Sequence, residues 1–224
     1  MSFDGLLVTE IFHSIQGETS LMGIPFIFIR LTGCNLRCSY CDSSYSFKGG
    51  QRLRISEIKE KIAPWNTQHV LITGGEPLLQ RKTPALVQAL IDQNYAVSIE
   101  THGEISIASV VKQARIVLDI KTPSSGMCRG GYTSNLPLLK STDEVKFVIA
   151  SPEDYLWAKS IVLSKVIPTQ EILFSPALPA AQCPGSFPGV EPKWLAERIL
   201  EDGLPVRFQL QIHKYLWGLN SQGV

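Results

Sequence analysis

The sequence predicts an α/β fold, a partial and splayed TIM-like βα barrel of about six parallel strands. Three observations lead to it. Short apolar, β-branched runs alternate with amphipathic segments, the pattern of βα units around a parallel sheet. Six or seven such units are too few to close an eight-stranded barrel. Polar residues suited to chemistry recur just after nearly every run, at the strand ends where parallel βα folds gather their sites.

The strands expected are 25 to 31 (PFIFIRL), 69 to 73 (HVLIT), 95 to 100 (YAVSIE), 115 to 120 (RIVLDI), 144 to 149 (EVKFVI), 171 to 174 (EILF) and 205 to 210 (PVRFQL). Between them, Ser56 can cap a helix running through Lys61. The run from Thr83 to Gln93 puts Leu86, Val87, Leu90 and Ile91 on one helical face. Pro152 and Pro192 suit the first turns of helices near 152 to 164 and 192 to 202. The stretch 122 to 137 is rich in Gly, Ser and Thr and the stretch 175 to 192 in Pro; both read as long loops, either binding elements or surface excursions. No repeat beyond the βα alternation is visible. The expectation is a single domain over 1–224, with an amino-terminal segment over 1–24 and a barrel core over 25–218.

A chain of 224 residues with 44% hydrophobic content suits one sizeable core. Its formal net charge of +1 gives no polyanion-binding surface, so a small molecule is expected as partner and nucleic acid is not. No apolar run reaches membrane-spanning length, and the start from Met1 to Gly5 lacks a signal-peptide layout. No membrane partner and a cytoplasmic setting are therefore expected. Five cysteines, three of them bunched, make no disulfide framework and fit a reducing compartment.

Those three are Cys34, Cys38 and Cys41, spaced C-x3-C-x2-C in a Gly-led turn behind the first strand run. A structural zinc or an electron-carrying iron-sulfur centre takes a full set of protein ligands. Three thiolates instead leave one iron of a four-iron cluster open to bind something else. The alternatives are a zinc knuckle or non-catalytic cluster module, and cysteines buried as small hydrophobes, although Gly, Asn, Arg and Ser around them make poor core. Cys128 and Cys183 have no ligand-spaced partner and read as ordinary thiols. His13 and His69 likewise read as structural or surface residues, and Trp65, Trp157, Trp194 and Trp217 as core or interface anchors.

Further along, the paired Gly74 and Gly75 let backbone approach a ligand, and Glu76 could accept from an ammonium group; a plain strand-to-helix turn explains the same residues. Glu100 at the next strand end could bond ribose hydroxyls or simply be solvated. Lys121 could reach a ligand carboxylate or pair with Asp119. Gln16, Gly17 and Glu18 carry groups able to read the amide and amino edge of a pterin or purine, or form a hairpin turn.

C-x3-C-x2-C with an aromatic, Tyr40, before the last cysteine resembles the radical S-adenosylmethionine superfamily. The resemblance implies a 4Fe-4S cluster whose open iron chelates S-adenosylmethionine, and one-electron reduction that yields a 5'-deoxyadenosyl radical. Tyr40 would then lie beside the adenine and Glu76 would receive the methionine amino group. A superfamily neighbour with the same spacing activates glycyl-radical enzymes on a partner protein.

The ordered set I-Q-G-E (15 to 18), Arg30, the cysteine turn, Asp42-Ser43, TGGEPLLQ (73 to 80), DEVKFVI (143 to 149) and Q-x-HKYLWG (211 to 218) is similar to the 7-carboxy-7-deazaguanine synthase family, over Glu10 to Gly218. That resemblance implies a carbon-nitrogen lyase of 7-deazapurine and queuosine biosynthesis. Its substrate is 6-carboxy-5,6,7,8-tetrahydropterin, its reaction a hydrogen abstraction and ring contraction that releases ammonia. It places Ile15, Gln16, Gly17, Glu18, Arg30, Thr73 and His213 against the pterin substrate. It places Tyr40, Asp42, Gly74, Gly75, Glu76, Glu100, Asp119, Ile120, Lys121 and Ser175, Pro176, Ala177 and Leu178 against S-adenosylmethionine. Ser43 stands where the family usually sets a threonine hydroxyl on Mg²⁺, a hard-oxygen ligand either way. A reducing electron-donor protein such as a flavodoxin and a homodimer complete the implied picture. Other departures from the family pattern are His102 for Asn, Thr19 for Gly, and a tail continuing from Lys214 to Val224.

Overall fold

All seven expected strand runs form strands, and they pair in parallel. The computed structural model describes residues 5–178, 189–219 and 221–224. Its strands are β1 (Leu6–Ile15), β2 (Pro25–Leu31), β3 (Gln51–Leu53), β4 (His69–Gly74), β5 (Ala96–Thr101), β6 (Arg115–Ile120), β7 (Glu144–Ile149), β8 (Glu171–Pro176) and β9 (Arg207–Phe208). Among the described residues they make one sheet in the order β3-β1-β2-β4-β5-β6-β7-β8-β9. From β2 to β9 every neighbouring pair is parallel, so the carboxyl ends of seven strands rise at one edge. The sheet does not close on itself, in keeping with a partial barrel.

Two strands were not legible as such. The segment before residue 25 reads as a turn-bearing leader, yet β1 lies antiparallel on β2 from Val8 opposite Leu31 to Ile15 opposite Pro25, with a shift of register between Val8 and Glu10. Leu6 and Val8 enter the main core, and Phe12 and Ser14 are buried farther along. Polar Thr9, Glu10 and His13 break the apolar run that marks the central strands, because β1 is covered differently on its two faces. Short β3 closes the far edge on Leu6, Leu7 and Val8.

The helices are α1 (Ile55–Ile62), α2 (Thr83–Ile91), α3 (Pro152–Leu163), α4 (Pro192–Asp202) and α5 (Ile212–Trp217). Ser56 does not cap α1. The helix begins one residue earlier, with Arg54 at the N-cap and the Glu57 carboxylate accepting from its backbone N–H at 2.7 Å. In α3, Ser151 caps by accepting from the Asp154 N–H, with Pro152 in the first turn as expected. Helix α4 stops at Gly203, whose φ of 58° is left-handed. The stretch 122–137 is not a bare loop: it carries three 3-10 turns, and buried Asn135, between the last two, donates its amide to the carbonyls of Gly103 and Ile105. Part of the Pro-rich stretch after residue 175, including Cys183, lies outside the described residues.

The main core joins the helices to one side of the sheet through Ile29, Ile72, Ile99, Leu118, Phe147 and Phe174, among others. Phe12, Phe26, Phe28 and Leu71 form a smaller cluster. His13 stacks on Trp65 and His69 on Phe26, so both histidines are structural. Trp65, Trp157 and Trp194 pack against the main core. No helix of the described residues is long and apolar enough to cross a membrane.

Phe147 is fully buried, with its ring edge-on to both Phe174 and Trp157. Phe147→Ala is expected to lower the unfolding free energy by about 3–5 kcal/mol in chemical denaturation, and a loss below about 1 kcal/mol would contradict this packing.

Candidate active site

The carboxyl ends of the parallel strands enclose a cavity of about 210 Å³. Cys34, Cys38 and Cys41 all line it, as do Arg30, Glu100 and Asp119. The cysteine turn leaves β2 through Gly33, whose φ of 99° needs glycine, and sits on the loop that leaves β4. There the Gly75 N–H donates to the Leu31 carbonyl at 3.1 Å and the Glu76 N–H to the Gly33 carbonyl at 2.7 Å. A Cβ on Gly74 would lie 2.1 Å from the Leu31 carbonyl oxygen. One on Gly75 would lie 2.2 Å from the Gly33 oxygen and 2.9 Å from the Cys34 Cβ. Gly75 is thus required by contact with the cysteine turn itself, and Gly74 by contact with the end of β2.

Other bonds hold the turn in place. The Ser39 N–H donates to the Ser125 carbonyl at 3.0 Å, and its hydroxyl donates to the Ser124 carbonyl at 2.7 Å, tying the turn to the β6 end. Tyr40 packs on Val148, Ala150 and Ala177, with its hydroxyl 3.2 Å from that of Thr122; burial pushes its phenol up to about 12. Burial also raises the Cys34 and Cys38 thiols, Cys38 to about 11. Sulfurs so placed ionise readily only when a metal takes up the charge. The three thiols come from one turn and all line the same cavity, a donor set that fits an iron-sulfur cluster with one corner left open.

Glu76 has a different place from the one expected. It is fully buried, absent from the cavity lining, and accepts from the N–H groups of Leu78 and His102 and the hydroxyl of Thr101 at 2.9–3.0 Å. Burial raises its carboxyl to about 7. His102 completes the clasp. Its Nδ1 accepts from the Glu104 N–H at 3.0 Å, which leaves the proton on Nε2, 2.9 Å from the Asn35 Oδ1 and 3.2 Å from Glu76. Burial holds the imidazole down to about 4. Ile120 points into the core, and Ser175 and Pro176 also lie off the cavity lining, whereas Ala177 and Leu178 are on it.

A charged cluster forms the rest of the floor. Lys146 of β7, only 3% exposed, contacts Glu18 at 2.7 Å, Asp119 at 3.3 Å and Glu100 more closely still. Burial alone would lower this ammonium, but Asp119, Glu100 and Glu18 raise it well above the ordinary lysine value. Lys121 pairs with Asp119 at 2.9 Å and also lines the cavity. The Oδ1 of Asp119 is buried with no partner, an acceptor awaiting a donor. Thr73 donates to Glu100 at 3.4 Å.

At the cavity mouth the two ends of the chain meet. Gly17 comes so close to His213 that a Cβ would lie 2.2 Å from the imidazole Nδ1, and its carbonyl accepts from the Ile212 N–H at 3.0 Å. His213 stands in the first turn of α5. Gln211 donates to Glu18 at 2.9 Å, and Lys214 bridges Gln211 and Asp42 at 2.6 and 2.9 Å. Burial would raise Asp42, yet Lys214 holds its carboxyl below the usual range. Thr19 takes the left-handed φ of 69°, accounting for the glycine usual there, and Gln209 clamps its N–H and carbonyl. Arg30 gives its Nε–H to Glu10 at 2.6 Å and lies over the rings of Phe12 and Tyr45. The Ser43 hydroxyl is on the lining, 3.8 Å from the Cys41 sulfur.

The structure thus brings Ile15, Gln16, Gly17, Glu18, Arg30, Tyr40, Asp42, Ser43, Thr73, Gly74, Gly75, Glu100, Asp119, Lys121 and His213 onto one cavity with the three cysteines. Sequence reasoning missed Lys146, Gln211 and Lys214, and it read Trp217 as an anchor although that ring lines the cavity. The available signal was their position inside two of the quoted motifs, where no chemistry had been given to them.

A family model described as the radical SAM superfamily matches residues 28–134. The chain is 40% identical to the 7-carboxy-7-deazaguanine synthase of Chlorobaculum tepidum, across 98% of this chain and 97% of that one. It is 41% identical to the protein of the same name from Koribacter versatilis, across 97% and 99%. Among solved structures it resembles QueE from Escherichia coli with a TM-score of 0.70 at 19% identity, covering 92% of this chain and 96% of that one. SuiB of Streptococcus suis bound to S-adenosylmethionine matches at 0.57 and 14% identity, covering 82% and 50%. These two likenesses concern the fold.

Two predictions test this geometry. Gly75→Ala forces the cysteine turn from its seat and is expected to cut iron uptake on anaerobic reconstitution by about half or more, read by iron analysis; full uptake would contradict the seat. His102 is held neutral, with a folded value near 4 against 6.5 unfolded. Its contribution to stability is therefore present above pH 6.5 and lost as pH falls toward 4, whereas Glu76, raised in the fold, works in the opposite direction. In metal-free protein, His102→Asn is expected to flatten the fall of melting temperature across that window; an unchanged slope would refute the assignment.

Proposed function

The chain belongs to the 7-carboxy-7-deazaguanine synthase family of radical S-adenosylmethionine enzymes, and from that premise we propose that its cavity converts 6-carboxy-5,6,7,8-tetrahydropterin to 7-carboxy-7-deazaguanine and ammonia. Membership makes it a radical S-adenosylmethionine lyase of 7-deazapurine biosynthesis, and implies a 4Fe-4S cluster and S-adenosylmethionine. The observation that carries the substrate assignment is the opposed character of the cavity: a guanidinium, Arg30, and a carboxylate, Glu18, line one volume with the three thiols.

When bound, the cluster and S-adenosylmethionine together would supply abstraction of a hydrogen atom from the substrate carbon that bears the carboxylate. Cys34, Cys38 and Cys41 would hold the cluster. Tyr40 gives an apolar face for the adenine, Glu100 an acceptor for ribose hydroxyls, and the unpartnered Asp119 oxygen an acceptor for a further cofactor donor. The Gly74-Gly75 backbone, Asp42, Lys121, Ala177 and Leu178 complete that side. Glu76 positions Thr101 and His102 from behind the lining. Ile120, Ser175 and Pro176 would act through backbone atoms.

On the substrate side, Arg30 keeps N–H groups beyond the one taken by Glu10 and so offers a fork for the pterin carboxylate. Glu18 and Gln16 would read the amide and amino edge, with Ile15, Gly17, Thr73 and His213 shaping the pocket around it. Ser43, beside Cys41, is the proposed Mg²⁺ ligand, a hard oxygen near where the substrate carboxylate would lie. The reading also includes a reducing donor protein such as a flavodoxin, a cytoplasmic setting and a homodimer, all supported by family resemblance.

The test is product mass analysis after anaerobic reconstitution with S-adenosylmethionine, dithionite and the carboxypterin. The expected result is 7-carboxy-7-deazaguanine accompanied by 5'-deoxyadenosine, both abolished in Cys38→Ala. Arg30→Met is expected to raise the pterin KM about tenfold or more with a smaller effect on kcat. Omitting Mg²⁺ should slow the wild type more than Ser43→Ala. Release of 5'-deoxyadenosine with no pterin consumed would overturn the assignment.

A further inference from the structure

Lys146 lies inside the D-E-V-K-F-V-I motif, between Val145 and Phe147 of the main core. A lysine set in a buried strand needs a carboxylate to neutralise it, and Asp119, its direct partner across β6 and β7, is shared with Lys121. Two more carboxylates converge on the same ammonium. Glu100 comes from the end of β5, and Glu18 from the turn after β1, 128 residues away in sequence. The ammonium donates to Glu18 and Glu100 and lies 3.3 Å from Asp119.

We propose that Lys146 is a positioning residue that couples the substrate subsite to the cofactor subsite. This deepens the functional reading above and rests on it: Glu18 belongs to the pterin side, Glu100 and Asp119 to the S-adenosylmethionine side. Each carboxylate keeps one oxygen off the lysine. Glu18 Oε1 accepts from Gln211, Glu100 Oε2 accepts from Thr73 at 3.4 Å, and Asp119 Oδ1 has no partner. Lys146 therefore fixes one edge of each group and leaves the other toward the cavity. A ligand that draws on Glu18 changes how much of the ammonium remains for Glu100 and Asp119. The two subsites thereby share one charge. Without Lys146, three close carboxylates repel one another, and both subsites lose their shape.

The experiment is anaerobic titration calorimetry on cluster-reconstituted protein without reductant, using S-adenosylmethionine and the carboxypterin as separate probes. Lys146→Met is expected to weaken both ligands by about tenfold or more. Glu18→Gln is expected to weaken S-adenosylmethionine about fivefold with no pterin present, because the freed donor of Lys146 binds Glu100 more fully and makes it a poorer acceptor. Added to Lys146→Met, Glu18→Gln should then change cofactor affinity no further. A purely structural lysine moves neither cross-term. Should Lys146→Met fail to fold, Glu18→Gln and its mirror, Glu100→Gln read on pterin affinity, decide the matter alone. Effects confined to each variant's own ligand, in a wild type that binds both, overturn the coupling. A wild type that binds S-adenosylmethionine and no pterin overturns the functional reading, and the coupling with it.

Discussion

The site depends on one backbone contact, the seating of the cysteine turn on Gly74 and Gly75. Two hydrogen bonds, Gly75 to Leu31 and Glu76 to Gly33, join the ends of β2 and β4, and no side chain fits between them. Parallel pairing of these strands, Leu31 opposite Gly74, brings the turns together. The glycines then serve two ends: they let the loops touch, and they expose backbone beside the cysteines where a ligand can approach. Behind them buried Glu76 gathers Thr101 and His102, and His102 reaches out to the exposed Asn35 of the cysteine turn.

Charge organises the remainder. Lys146, Lys121, Glu18, Glu100 and Asp119 occupy a floor with little access to water, where ion pairs resist screening. The carboxylates outnumber the ammonium groups, and the excess faces the cavity. On the same cavity Arg30 presents positive charge beside aromatic rings. A substrate with a carboxylate on one end and amide and amino donors on the other matches that polarity. The mouth is built from both ends of the described chain, with α5 laid over Gly17 and Gln209 clamping Thr19.

The parallel strands were legible because strands buried on both faces read as continuous apolar runs, as in PFIFIRL and RIVLDI. β1 was not, since its polar residues and its bulge blur the alternation. The cysteines and the glycine pair announced themselves through residue types whose chemistry is narrow, and Arg30 through its place in the ordered family set. Lys146 did not, because a lysine within an apolar run has no meaning until the partners arriving from β5, β6 and the Glu18 turn are known. Glu76 erred in the other direction: its motif marked a ligand-facing acid, yet local hydrogen bonds consume it. His213 was found as a residue, but the turn of helix that aims it over Gly17 leaves no periodic signal in six residues.

The most direct test of the account is whether S-adenosylmethionine binds the cluster held by Cys34, Cys38 and Cys41. Reconstituted protein, reduced and frozen with S-adenosylmethionine labelled with ¹⁵N at its amino group, can be examined by pulsed electron-nuclear double resonance. The account predicts a hyperfine coupling from the labelled nitrogen that disappears when the ligand is omitted. A cluster spectrum indifferent to S-adenosylmethionine would contradict it.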